Sequence, residues 1–500
     1  MENPRTTSGA SGSAEPAATA ATPSGPERGI PIRGTGVDLH LERTGPRLRA
    51  GLTDALREAV RSGRLAPGTR MPASRTLAVD LGIARSTVTE CYTELVAEGW
   101  LIAQQGSGTR VADLGRPGTV TVPPETRSTR ATGALVPGAT DFAAFPRLEW
   151  LAAARRALAA APYSAFGYND PLGSPELRGA LAEYLGRVRG VRADPSRIVI
   201  TGGFHHGLGL IARALAERGA TAVGVEAYGL GLYRNVLRDA GLALPPVALD
   251  AEGARTDLLP DLDVDAALLT PAHQFPTGFA LSPERRAAAL DWARASGGLI
   301  LEDDYDGEFR YDRRPVGALQ GLDADRVVYF GTASKSIAPA LRVAWMVVPE
   351  HLMTGVAAAK GAVEVVSVLD QLTLAEFIRS GAFDRHVRSR RQAYRKRREH
   401  LIDALADAAP NIRVTGMAAG LQAVLQLPDG TERLVVEDAA AHGLVVSAMG
   451  EFRHEGLDPD VSAHDALVVN FSAIPDSAWD RAVGTLCSVV ANARVRSHHG

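Results

Sequence analysis

The stretch Leu299-Ile-Leu-Glu-Asp-Asp-Tyr-Asp-Gly-Glu-Phe-Arg310 begins apolar and ends in a crowd of charges. Leu299 to Glu302 reads as a strand buried on both faces, because its apolarity is continuous rather than alternating. Glu302 to Arg310 closes that strand, and the carboxyl ends of strands are where open α/β sheets place ligand-binding groups. A second run, Arg326-Val-Val-Tyr-Phe330, closes on Gly331-Thr-Ala-Ser-Lys335, and seven residues later comes Arg342 in another strand-like run. A third, Arg197-Ile-Val-Ile-Thr201, leads into Gly202-Gly203 and a helix opening through Phe204 and His205. These pieces make chemical sense together. A lysine that is to form an imine needs a deprotonated, positioned amine. A carboxylate against a pyridine nitrogen keeps that nitrogen protonated and makes the ring an electron sink. An Arg, hydroxyls and the N–H groups at Gly203, Phe204 and His205 suit a phosphate dianion. One at a time, each has an ordinary reading: a solvated strand edge for the acidic cluster, a surface position for the lysine.

Working outward, Ala222-Val-Gly-Val-Glu226 and Ala266-Ala-Leu-Leu-Thr270 repeat the short apolar run, with helical patterns between the runs. An α/β domain with a mostly parallel sheet is predicted for residues 139–500, its large part at about 160–375 and a C-terminal small part at about 390–495. The Arg-dense segment Gly381-Ala-Phe-Asp-Arg-His-Val-Arg-Ser-Arg-Arg-Gln-Ala-Tyr-Arg395 resembles a nucleic-acid patch at first sight. Its apolar Phe383, Val387 and Tyr394 fit a helix linking the two parts instead.

A chain of 500 residues exceeds what one core usually organises, so more than one domain is expected. Its net charge of -3 announces neither nucleic acid nor membrane, and charge has to be read by segment. His40 to Ala112 holds ten Arg against seven Asp or Glu, a local net of +3 on a near-neutral chain. Residues 1–36 are rich in Ala, Ser, Thr, Pro and Gly with almost no large apolar residue, which predicts a disordered tail. A Pro/Gly/Thr-rich stretch at 113–138 reads as a semi-extended linker. The only two cysteines, Cys91 and Cys487, lie far apart, so neither a disulfide framework nor a zinc site is expected. No apolar run of about 18 residues and no signal-peptide layout are present, which makes the cytoplasm the expected compartment and a membrane an unexpected partner.

Between 40 and 112 the pattern is helical and compact. Leu48 to Val60 carries an apolar stripe, and Gly63-Arg-Leu-Ala-Pro-Gly-Thr-Arg-Met-Pro72 is a turn. A short helix (Ser74 to Leu81), Gly82 and a helix opening near Ala84 follow. In the last helix Val88, Cys91, Leu95 and Val96 point one way, with Arg85, Ser86 and Thr89 on the opposite arc. That spacing is helix-turn-helix, with a polar start to the second helix suited to a DNA groove. Trp100-Leu-Ile-Ala-Gln-Gln-Gly-Ser-Gly-Thr-Arg-Val111 would fold as two short strands around a Gly-rich tip, a wing. Cys91 reads as a small buried apolar residue.

This module resembles the GntR family of winged-helix regulators in four ordered blocks: Gly63 to Arg75, Leu81 to Val88, Leu95 to Leu101 and Gly106-Ser-Gly-Thr109. The resemblance implies DNA contacts from Arg75, Arg85, Ser86 and Thr87, with Gln105 and Gly106 at the wing tip. Thr89 stands where some relatives carry a second Arg, and an Arg85 that only solvates the helix start is the competing reading. The larger domain resembles fold-type I, class I-type aminotransferases, and the whole resembles the MocR-type branch of GntR regulators. Further blocks agree: Phe166-Gly-Tyr-Asn-Asp-Pro-Leu-Gly173 and His273-Gln-Phe-Pro-Thr-Gly278. The expected architecture is therefore multidomain, a winged helix-turn-helix followed by an α/β aminotransferase fold.

The resemblance further implies pyridoxal 5'-phosphate as cofactor, with Lys335 as the Schiff-base lysine, Asp303 on the pyridine nitrogen and Tyr305 on the ring hydroxyl. Arg342 with Thr332 or Ser334 would hold the phosphate, and no metal is expected. Two departures stand out. Relatives place Glu-x-Pro-Gly-Tyr where this chain has Glu226-Ala-Tyr-Gly-Leu230, so the ring-stacking aromatic becomes Leu230 unless Tyr228 substitutes. Relatives carry Ser or Thr where this chain has Phe204. Arg453 is a positional candidate for a substrate carboxylate, and a solvated loop residue is the equal alternative. The expected partners are double-stranded DNA with two half-sites, a second copy of the chain, and pyridoxal phosphate or an amine as effector. Three functions compete: a regulator that senses cofactor or amine, a working aminotransferase, and a regulator whose cofactor domain has become a PLP-free dimerisation platform. The intact winged helix speaks against the second, and Asp303, Tyr305 and Lys335 against the third.

Overall fold

The computed structural model describes residues 30–32, 37–39, 48–104, 108–113, 134–311, 316–457 and 465–496, and the chain divides into compact units on either side of Arg127 and Ser128. In the first unit, helices Leu48–Arg61, Ser74–Leu81 and Arg85–Ala97 precede the antiparallel strands Leu101–Gln104 and Gly108–Val111. Gly82 ends the second helix at φ 65, a left-handed turn that glycine reaches without Cβ strain, and Ile83 and Ala84 complete the short turn to the third. Leu52, Leu56, Leu77, Val88, Cys91 and Leu95 meet in one core, which bears out the apolar arc of the third helix. Ile30–Ile32 pairs antiparallel with Val37–Leu39, so the expected disordered tail runs too far: β-branched Ile30, Ile32 and Val37 favour extended, paired backbone.

The second unit is built on a seven-stranded sheet. Its order across the sheet is Ile198–Thr201, Ala344–Val347, Val327–Thr332, Leu299–Asp303, Ala266–Leu269, Val223–Glu226 and Pro246–Val247. Only Ala344–Val347 runs antiparallel to its neighbours. The five apolar runs picked out in the sequence are all strands of this sheet, buried on both faces. Val199 points into the core under helix Phe204–Glu217, while Ile198 and Ile200 point into the core with helices Pro175–Arg189 and Val368–Arg379. Local signals set the helix ends. Ser174 and Ser282 accept N–H bonds from Leu177 and Arg285 at 3.2 and 3.3 Å, prolines occupy the first turns, and Gly190 and Gly297 close the helices left-handed.

A four-stranded antiparallel sheet, Arg413–Thr415, Gln422–Gln426, Ala466–Asn470 and Ser447–Ala448, carries the smaller core. Helix Ala382–Ala408 joins the two: Phe383 and Val387 enter the large core, Tyr394, Leu401 and Leu405 the small one. The linker drawn at 113–138 also runs too far. Leu135 is fully buried in the small core and donates its N–H to Val445 O at 2.8 Å, so an apolar residue inside a Pro/Gly-rich stretch has been drawn into the fold.

Candidate functional site

In the winged-helix unit, Ala84 starts the third helix in extended conformation without a side-chain cap, and Arg85 and Ser86 stand exposed on its first turn. Arg75 is exposed at the start of the preceding helix, and Thr87 is half-buried. The hydroxyl of Thr89 donates to Arg85 O at 3.0 Å, so it is spent on its own helix. Arg57 bridges Asp54 and Glu98, which ties the first helix to the end of the third. Gln105 and Gly106 lie outside the described residues.

In the second unit the strand ends converge on one cavity, lined by Asp303, Tyr305, Lys335, Glu226, Tyr233 and Gln422 among others. Asp303 is 7% exposed, and no group among the described residues donates to its carboxylate. Burial, aided by the negative charges of Asp304, Asp306 and Glu226, holds this carboxyl well above its ordinary range. Lys335 Nζ donates to Gly138 O at 3.0 Å, and burial lowers its ammonium below the usual lysine value although Asp303 and Asp306 pull the other way. A lysine so placed reaches its neutral, nucleophilic form more readily than one in water.

Thr332 caps the turn that presents Lys335, accepting from Ser334 N at 3.1 Å and donating to Ser334 Oγ at 2.9 Å. Arg342 does not lie within a strand as its sequence suggests. It sits at φ 51 in the turn before Ala344–Val347, because the short helical turn Pro339–Leu341 reverses the chain there. Gly203, at φ 109, begins helix Phe204–Glu217, and a Cβ on it would stand 3.0 Å from an Arg342 nitrogen. The positive φ favours glycine, and the missing Cβ leaves the guanidinium uncrowded against that helix start, beside the N–H groups of Phe204 and His205 that have no acceptor one turn back. His205 is exposed and the Phe204 side chain turns into the core, with ring centroids 4.5 Å from Tyr233 and 5.0 Å from Phe330.

Several site residues escaped the sequence reading. His273 Nδ1 lies 3.0 Å from the Tyr305 hydroxyl and 2.9 Å from Asp306, and Gln422 Nε2 donates to the same hydroxyl at 2.9 Å. The sequence pattern around His273 assigns it no role. Glu226, buried at the cavity wall, accepts from Thr270 N–H at 3.1 Å, Thr270 Oγ1 at 2.6 Å and Gln274 Nε2 at 3.1 Å, and burial pushes it up to about 7. Tyr228 and Leu230 both pack against the cluster of Phe275 and Phe452, and Tyr228 hydrogen-bonds Arg453, whose backbone it also pairs. Nothing in the one-dimensional pattern marks Tyr233 or Gln422, which come from helix and strand positions that only the fold brings together.

The arrangement fits a ring with a basic nitrogen, a carbonyl and a phosphate. A carboxyl that opens on the cavity suits the nitrogen, a depressed lysine the carbonyl, and a guanidinium lying against a helix start the phosphate.

Comparisons with known proteins agree with both units. Residues 48–111 match the bacterial regulatory proteins of the gntR family, and residues 138–472 match aminotransferase class I and II. The HTH-type pyridoxine biosynthesis transcriptional regulator PdxR of Corynebacterium glutamicum is 34% identical over 406 residues, 80% of this chain and 88% of its own. The probable rhizopine catabolism regulatory protein MocR of Rhizobium meliloti is 33% identical over 421 residues, 78% of this chain and 83% of its own. Among solved structures, an archaeal alanine:glyoxylate aminotransferase is similar with a TM-score of 0.65 and 26% identity, covering 72% of this chain and 90% of its own. Aminotransferases of this fold depend on pyridoxal phosphate. Among the described residues no helix is long and apolar enough to cross a membrane. The chain belongs to the MocR-type branch of the GntR family: it is a transcription regulator in which an aminotransferase-like domain of fold type I follows the winged helix.

Proposed function

We propose that this regulator binds pyridoxal 5'-phosphate in the Asp303–Lys335 cavity and that the bound cofactor, or an amine that reacts with it, alters the hold of paired winged helices on DNA. The observation that carries the proposal is the Asp303 carboxylate, which lines one cavity with a depressed lysine and has no donor among the described residues. Bound there, the cofactor supplies a carbonyl reactive toward amines. Asp303 would hold the proton at the ring nitrogen, and Tyr305, in hydrogen-bond contact with His273 and Gln422, would meet the ring hydroxyl. Arg342 and the helix start at Gly203 to His205 take the phosphate, with Thr332 and Ser334 shaping the turn beneath Lys335. The Corynebacterium relative is named for pyridoxine biosynthesis, which favours the cofactor itself as effector.

A dimer is supported by Leu148, Leu151, Tyr163 and Tyr168, large apolar or aromatic side chains exposed along one helix and the loop after it. Tyr168 is 99% exposed, far beyond what a buried-face aromatic shows in a monomer. A symmetric dimer calls for an operator with two half-sites, and a DNA target places the protein at work in the cytoplasm.

Arg75, Arg85, Ser86, Thr87, Gln105 and Gly106 are the proposed DNA contacts. Arg85→Ala should weaken binding by about 1–3 kcal/mol at one base pair of each half-site if the guanidinium reads a base edge. Binding measured across single-base operator variants decides this: a loss equal on all sequences makes Arg85 a phosphate contact. The function as a whole is tested by measuring operator affinity with and without pyridoxal phosphate, and keto-acid production, on one preparation. We expect a cofactor-dependent change in affinity and negligible turnover of common amino acids. Sustained turnover with no effect on DNA would overturn the proposal.

A further inference from the structure

The departures at Leu230 and Phe204 pose a question of their own: what faces the ring of a group seated between Asp303 and Arg342? Leu230 lines the cavity but offers no aromatic face, and with Tyr228 and Phe275 it lines it from the cluster around Phe452, on the side of the small core. Tyr233 also lines the cavity, and its ring packs on Phe204, the first residue of the helix whose start lies against the Arg342 guanidinium. The charges of Asp303 and Arg342 both act on its hydroxyl.

The register explains how the aromatic comes to be there. Leu230 is the N-cap of helix Gly231–Asp239, and Tyr233 N–H donates to Leu230 O at 3.0 Å, closing the first turn. Leu230 is still extended while Tyr233 lies on the first turn, so an aromatic absent at 230 is present one turn on at 233, against a different set of neighbours. The second departure completes the arrangement. Phe204 is the residue that packs Tyr233, with ring centroids 4.5 Å apart and planes tilted by 50°, and Phe204 rests in turn on Phe330. A serine or threonine at 204 could offer the phosphate a hydroxyl but could not brace a tyrosine ring.

We propose that Tyr233 is the aromatic platform for the pyridoxal ring in this chain, braced by Phe204, so that the two departures are one coupled change. The proposal rests on the reading of this cavity as a pyridoxal phosphate site. Tyr233 is here a binding residue and Phe204 a positioning residue that acts through it.

The test is a titration of the full-length apo protein with pyridoxal phosphate, reading the visible absorption band for affinity and the circular dichroism of that band for ring packing. Tyr233→Phe, which keeps the ring, should bind within about twofold of wild type, and Tyr233→Ala about tenfold more weakly with a diminished dichroic band. Phe204→Ala should weaken binding in the wild-type background and have no further effect in Tyr233→Ala, a coupling that two independent roles would not produce. Tyr233→Leu keeps bulk against Phe204 without an aromatic face and answers the same question if the alanine variant fails to fold. Unaltered affinity and dichroism in Tyr233→Leu, or a larger loss from Leu230→Ala than from Tyr233→Ala, would overturn the assignment of Tyr233 while leaving the cofactor site standing. A wild-type protein that develops no visible band would instead overturn the cofactor site, and the platform with it.

Discussion

Arg189→Ala should cost the aminotransferase-like domain about 3–5 kcal/mol of stability, the range for breaking a buried, hydrogen-bonded ion pair on one side only. Arg189 is the last residue of helix Pro175–Arg189, and its guanidinium grips Asp304 with two bonds of 2.7 and 3.0 Å while a third, of 2.9 Å, reaches Val316 O. The paired side chains are 4% and 1% exposed. Burial works against the Arg189 charge, and the adjacent Asp304 carboxylate outweighs it, so the guanidinium stays firmly protonated. Remove the guanidinium and Asp304 is left in the interior with the Tyr329 hydroxyl, at 2.7 Å, as its remaining donor among the described residues. It would then stand beside the buried carboxyls of Asp303 and Glu308, the latter already raised to about 7 by burial.

Denaturant unfolding of full-length protein checks this through the transition of the larger domain, since a chain of two units need not unfold in one step. Arg189→Ala with Asp304→Ala together should cost less than the sum of the two single changes, because the double variant buries no unpaired charge. A single-variant loss under about 1 kcal/mol, the size of an exposed pair, would show that Arg189 and Asp304 do not form the pair described.

The same acidic strand end shows how much a sequence can disclose. That Glu302, Asp303, Asp304 and Asp306 close a buried strand was legible from apolar continuity, and so was the sheet around them. Which carboxylate does what was not, apart from the role that family resemblance lent Asp303. Glu302 accepts the N–H groups of Leu319 and Gln320, Asp304 holds Arg189, Asp306 holds His273, and Asp303 alone of the four faces the cavity without a donor. These partners lie from 17 to more than 100 residues away along the chain, and periodicity carries no information across such distances. The boundaries at 36 and 138 went astray for a related reason: composition predicts whether a segment can bury surface, but not that a neighbouring edge or core will take up Ile30 or Leu135. Arg342 was misplaced because the left-handed turn around it follows from Pro339 and the tight reversal, which a strand pattern hides.

Lys335→Ala should abolish borohydride-stable incorporation of pyridoxal phosphate, the second large effect expected. The chain contains only three lysines, Lys335, Lys360 and Lys396. The Lys360 side chain is fully buried in an ion pair with Glu364 at 3.1 Å, so its amine is committed and inaccessible. Lys396 is exposed on helix Ala382–Ala408, away from the cavity lining. Lys335 differs from both: burial lowers its ammonium, it lines the cavity with Asp303, and its turn is capped by Thr332. Because attachment requires the neutral amine, labelling should rise with pH and level off below the pH at which an ordinary lysine, near 10.5, loses its proton. The cofactor effect on operator binding should disappear in the same variant, since a ligand shifts an equilibrium only through a difference in its hold on the two states. Peptide mapping that places the reduced label on Lys360 or Lys396 would sink the assignment. A Lys335→Ala protein that still answers to pyridoxal phosphate on DNA would show instead that sensing needs the phosphate and Asp303 contacts but not the covalent bond.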